Sequence, residues 1–172
     1  ETIEVEIGKT ATVELKGDLI GDKTNLLDDA IATVTGKYEH QDAEVKAEQL
    51  SELTDGATIA IGDGTNFLGI VNGGLGNITD KSAAAVWTIS EYRYNSYTYG
   101  YYIKYGNQYL YTSSNNNLSL NTSSSLWKCD SNGVYYAYDS NRYIKLKSGQ
   151  WTATTNNGTN GHPYKLTTTE AV

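Results

Sequence analysis

Three times between residues 56 and 172 the chain runs through the same succession of short apolar stretches and polar turns. The first pass reads TIAIGDGTNFLGIV and then LGNITDKSAAAVWTIS. The second reads YYIKYGNQYLYTSS and LSLNTSSSLWKC, and the third YYAYDSNRYIKLKSG and WTATTNNGTNGHPYKLTT. Each opens on alternating residues (Ile59/Ile61, Ile103/Tyr105, Tyr136/Tyr138) and crosses a turn rich in Gly, Asn and Ser. An aromatic–aliphatic pair follows: Phe67-Leu68, Tyr109-Leu110, Tyr143-Ile144. A second turn then leads to a short strand (75–78, 118–120, 151–153) and a closing aromatic strand from Trp87, Trp127 or Tyr164. The pairs recur at intervals of 42 and 34 residues, which divides the region into units near 56–96, 97–133 and 134–172. A unit of about four short strands cannot bury its aromatic face alone. Three such units can close a sheet into a barrel and cap it with hairpins, leaving no open strand edge. An all-β fold is therefore expected. A two-layer sandwich with an accidental repeat is the other arrangement these strands allow.

Composition changes sharply ahead of the repeat. Residues 1–55 hold 14 of the 20 acids and 5 of the 13 bases, whereas residues 56–172 carry the remaining 6 acids and 8 bases. The second stretch also holds 14 of the 15 tyrosines and all three tryptophans, so a join is expected near Ser51–Gly56. The leading stretch alternates at period two: Ile3, Val5 and Ile7 oppose Thr2, Glu4 and Glu6, and Ala11, Val13 and Leu15 resume the pattern. Residues 30–35 form a third β-rich run, and residues 42–50 read equally as strand or short helix.

Several function classes find no support. No apolar run reaches the roughly 18 residues of a membrane helix. Cys129 is a lone cysteine and cannot close an internal disulfide, and no Cys/His spacing fits zinc. The net charge of −7 disfavours a phosphate-backbone partner, so no nucleic acid is expected. The chain carries no nucleophile elbow, Walker-type loop or paired zinc-binding histidines. His40 and His162 read as solvated, and the runs Asp63–Asn66 and Asp130–Asn132 read as turns rather than calcium loops. No enzyme activity, cofactor or metal is expected. With no initiator Met and no charged-then-apolar leader, the sequence reads as a piece of a longer, multidomain protein, monomeric as a fragment.

The tyrosines are the candidate functional groups. Alternation from Ile103 sends Tyr99, Tyr101 and Tyr105 inward, together with Tyr136 and Tyr138, and leaves Tyr102 and Tyr135 facing out. Tyr92, Arg93, Tyr94 and Tyr97 fall in the linker between the first and second units, where a surface loop is expected. Exposed tyrosines offer flat apolar area with a hydroxyl at low entropic cost. Asn107, Asn141 and Asp139, in the turns before the aromatic–aliphatic pairs, could bond sugar hydroxyls, although each taken singly is an ordinary turn former.

The leading segment, with IEVEIGKTATVEL followed by DDAIATVTGK, resembles bacterial Ig-like domains. The three-unit region looks like a β-trefoil. Its G-x-Y-L, L-x-L and Trp succession is similar to fascin-like trefoils, and SLWKCDSNG resembles ricin-B-like lectin repeats. The Gln-x-Trp signature of those lectins is replaced by Ala85-Val86-Trp87 and Ser125-Leu126-Trp127, so their sugar pockets do not carry over. The pairing of modules resembles secreted or wall-attached surface proteins of Gram-positive gut bacteria. Together these likenesses imply a short Ig-like β segment (1–55) before a β-trefoil (56–172), and a non-catalytic module that binds a host or dietary glycan. The alternatives are an adhesin module gripping a host surface protein, such as an immunoglobulin or matrix component, and a structural spacer.

Overall fold

Two-residue turns explain much of the strand layout. Asn72-Gly73, Asn95-Ser96 and Ser148-Gly149 all carry positive φ at both positions, which is the type I′ geometry that lets antiparallel strands reverse with their natural twist. The computed structural model describes residues 43–169; the Ig-like expectation for the first 42 residues lies outside them. Residues 45–169 form one compact unit. Among the described residues neighbouring strands pair antiparallel, and helix is limited to one 3-10 turn at Lys81–Ala83.

Residues 44–49, ambiguous in sequence, form strand β1 (Glu44–Gln49), which lies beside the last strand, β14 (His162–Thr169). The first repeat unit supplies β2 (Thr58–Gly62), the hairpin β3 (Phe67–Val71) and β4 (Gly74–Ile78), and β5 (Trp87–Tyr94). The second supplies β6 (Tyr97–Tyr105), the hairpin β7 (Gln108–Tyr111) and β8 (Ser119–Asn121), and β9 (Trp127–Asp130). The third supplies β10 (Gly133–Tyr136), the hairpin β11 (Tyr143–Lys147) and β12 (Gln150–Thr154), the short β13 (Thr159–Asn160), and β14.

The long strands run in the order β14–β2–β5–β6–β9–β10. The two ends of that row meet, because the Val134 N–H donates to the Gly161 carbonyl at 2.9 Å, one residue before β14. A ring of six strands results, and the hairpins β3–β4, β7–β8 and β11–β12 leave it once per unit.

The aliphatic members of the three pairs, Leu68, Leu110 and Ile144, are fully buried, as are Ile61, Ile103, Trp87, Trp127 and Val134. They form one core with Ile59, Ile89 and Trp151. The Trp127 indole also donates Nε1–H to the Leu110 carbonyl at 3.0 Å. A smaller cluster of Ala60, Phe67 and Tyr164 packs beside Ala47 of β1.

Three tyrosines depart from the expected inward orientation: Tyr99, Tyr105 and Tyr138 are 38%, 40% and 69% exposed. Tyr105 lies at the end of β6, its ring lapping the rim of buried Trp87 at 5.7 Å. Tyr138 lies beyond the end of β10, in a turn closed by Asp139 N–H donating to the Tyr136 carbonyl, so the period-two pattern has already stopped. Tyr99 has a different cause, a bulge. Tyr101 and Tyr136 are half-buried against the core as expected.

Candidate functional site

The linker between the first and second units is a continuous hairpin rather than a loop. β5 and β6 pair from Thr88↔Lys104 to Tyr94↔Tyr97, closed by the Asn95-Ser96 turn. The register slips once: Tyr92 faces Gly100 while Arg93 faces Thr98, leaving Tyr99 as the extra residue of a β-bulge. Gly100 is needed there. Its φ is +155°, and a Cβ would stand 3.0 Å from the Leu126 Cβ and 3.2 Å from the Trp127 carbonyl oxygen. The bulge resets the alternation, so Tyr97 and Tyr99 join the face that carries Tyr92 and Tyr102.

A row of rings follows. Tyr97 and Tyr99 centroids lie 4.8 Å apart, Tyr99 and Tyr92 5.9 Å, Tyr92 and Tyr102 6.0 Å, and Tyr102 and Tyr109 of β7 5.6 Å. The pairs meet tilted or edge to face, the arrangement favoured by ring quadrupoles. Tyr94 and Tyr97, at the hairpin tip, are 61% and 57% exposed. Each end of the row carries a cation: the Lys128 ammonium lies 5.8 Å from the Tyr97 centroid, and that of Lys104 5.2 Å from Tyr109. At the centre, burial is the largest cause raising the Tyr102 pKa, with the hydroxyls of Tyr92, Tyr109 and Tyr138 adding to it. At neutral pH that hydroxyl remains a neutral donor.

Of the residues singled out from sequence, Tyr92, Tyr97 and Tyr102 belong to this row, and Tyr94 pairs across from Tyr97. Arg93 alternates to the other face. There its guanidinium donates to the Ser96 carbonyl at 3.3 Å and lies 3.7 Å from Glu91. Tyr135 is half-buried opposite Tyr143, with rings 5.5 Å apart. The Tyr143 hydroxyl donates to Asp130 Oδ2 at 2.7 Å. Burial first, and then that bond, push the Tyr143 pKa up to about 12. Tyr135 also sits across from Lys128 on β9, so that lysine stands between the row and the second tyrosine pair.

Asn107 is exposed in the β6–β7 turn, apart from the row's ring contacts. Asp139 is occupied locally, accepting from the Asn141 N–H at 3.1 Å and lying 3.4 Å from the Nε of buried Arg142. Arg142 spends its Nη1 on Asn116 Oδ1 and the Ala153 carbonyl. These contacts close the turn between β10 and β11 and tie it to β12 and to the β7–β8 connection.

Sequence reasoning passed over Tyr99, Tyr109, Lys104 and Lys128. The available signal was Gly100 inside a tyrosine-rich strand, since an isolated strand glycine marks a bulge. A separate cavity of about 220 Å³ opens between the hairpins, lined by β4, residues 117–118 and the start of β12, with Trp151 in its wall. The Trp151 Nε1–H donates to Asn77 Oδ1, and Asn77 Nδ2 donates to Asn66, so Asn77 is fixed as framework.

Among the described residues no group of three or more His, Cys, Asp or Glu could hold a metal ion, and no helix is long and apolar enough to cross a membrane. His162, expected to be solvated, is half-buried at the start of β14, 3.3 Å from Gln49, and burial lowers its pKa. His40 lies outside the described residues. Burial is also the largest cause raising the Cys129 thiol to about 11. Alkylation of Cys129 by iodoacetamide at pH 8 is therefore expected to run about a hundredfold slower than in the urea-unfolded chain. Equal rates in the two states would contradict a protonated, shielded thiol.

The chain matches no known family model, no curated protein and no solved structure.

Proposed function

We propose that the region from Gly56 onward is a β-trefoil acting as a non-catalytic carbohydrate-binding module of a secreted or wall-attached bacterial protein. The trefoil reading is supported by the six-strand ring and by the hairpin that leaves it once in each of three units. The observation that carries the binding reading is the row Tyr97–Tyr99–Tyr92–Tyr102–Tyr109, three of whose rings are at least 38% exposed. A sugar lays its C–H face on such a ring while the neighbouring phenol bonds its hydroxyls. Binding surfaces also concentrate their energy in a few aromatic anchors.

A glycan array followed by calorimetry tests this. Tyr94→Ser and Tyr97→Ser, both at the exposed tip, are expected to weaken binding by about tenfold each without moving the melting temperature by more than about 2 °C. Absence of any glycan ligand at millimolar concentration would overturn the reading. The second reading, a grip on a host protein, draws on the same projecting tip, where tyrosines flank Asn95-Ser96 in the residue mixture of antibody paratopes. Host-protein capture that survives enzymatic deglycosylation would favour it.

A further inference from the structure

The tyrosine row is capped by a lysine at both ends, and among the described residues no ion pair joins Lys104 or Lys128 to a carboxylate. Ion pairs elsewhere in the described residues join Arg93 to Glu91 and Arg142 to Asp139. Glu91 itself alternates away from the row and accepts from Thr98 Oγ1 at 2.6 Å. An ammonium held over a ring face keeps its N–H donors free on the other side, where an anion can meet both the cation and the ring edge.

From this juxtaposition we infer that the ligand of the row is an acidic oligosaccharide, its sugar rings lying along Tyr97, Tyr99, Tyr92, Tyr102 and Tyr109 and its acidic groups meeting Lys128 and Lys104. The inference rests on the carbohydrate reading above and adds the charge of the ligand to it. Successive rings are 4.8 to 6.0 Å apart, a step comparable with the length of one pyranose. An extended chain of a few residues therefore spans the distance between the two lysines, and acidic groups at both ends satisfy both cations. Lys145, 5.9 Å from the Tyr143 ring, does not share this role, because its ammonium is bonded to the Asn156 carbonyl at 2.7 Å and Asp130 lies against the same tyrosine.

The test is an array that prints each acidic oligosaccharide beside its neutral counterpart, made by desialylation, desulfation or carboxyl reduction. The acidic member is expected to bind about tenfold or more tightly at 50 mM salt, with the preference shrinking towards 500 mM as the charges are screened. The double variant Lys104→Gln/Lys128→Gln is expected to bring the affinity for the acidic member down to that for the neutral one. Equal binding of acidic and neutral members overturns the inference and leaves the carbohydrate reading standing, and so does a preference that survives the double variant. Failure of both members to bind overturns the two together. Capture of acidic peptides in place of glycans does the same, and transfers the row to the protein-binding reading.

Discussion

Replacing Trp127 by alanine is expected to lower the unfolding free energy by about 3–5 kcal/mol, a large part of the stability of a domain this size. The indole is fully buried at the start of β9, within the common core, and its ring meets Tyr136 at 5.9 Å. Truncation opens a cavity among residues of all three units and also leaves the Leu110 carbonyl without the indole N–H that donates to it. The two contributions separate in a paired experiment. Trp127→Phe keeps most of the volume and loses the bond. Trp87→Phe makes the same exchange at the corresponding place in the first unit, where the buried indole N–H has no partner among the described residues. Urea unfolding followed by circular dichroism is expected to show Trp127→Phe costing about 1–2 kcal/mol more than Trp87→Phe. Equal costs would mean that the Trp127 bond contributes nothing net.

The second large effect is at the point where the strand ring closes. Gly133 opens β10 with φ +123°, and a Cβ there would stand only 2.4 Å from the backbone oxygen of Gly161. That same oxygen accepts from the Val134 N–H, so a methyl group cannot be accommodated without parting β10 from the chain entering β14. Gly133→Ala is expected to cost about 2–4 kcal/mol, backbone strain and overpacking together. Amide exchange should accelerate at Val134 and at neighbouring ladder positions. A loss below about 1 kcal/mol would show that the ring yields at this seam.

Much of the strand pattern could be read from the residues because period-two alternation and turn chemistry are local. Ile59/Ile61 and Ile103 are buried as their spacing predicts, and the aliphatic partner in each recurring pair is in the core. The sequence resolves less well wherever distant backbone decides. Within residues 97–105 only Gly100 hints that Tyr99 stands out of register; the cause is the crowding of Gly100 by Leu126, Trp127 and Ala137 from later in the chain. Tyr138 was misplaced for a simpler reason, since alternation was carried past the last residue of β10 into a turn. The row of rings was half legible. Tyr92, Tyr97 and Tyr102 stand out as exposed candidates, whereas Tyr109 reads only as half of an aromatic–aliphatic pair, and the lysines are brought over their rings by the fold, Lys104 by pairing opposite Tyr109 and Lys128 from β9 over Tyr97.

Because β14 lies between β1 and β2, the polypeptide enters and leaves the compact unit on adjacent ladders. Its ends can be spliced by a short linker and new ones opened at the Asn72-Gly73 reversal, permuting the chain while every strand keeps its neighbours. The same adjacency suits such a unit to insertion within a host sequence, because both connections run from neighbouring strands and need not interrupt the fold that bears it.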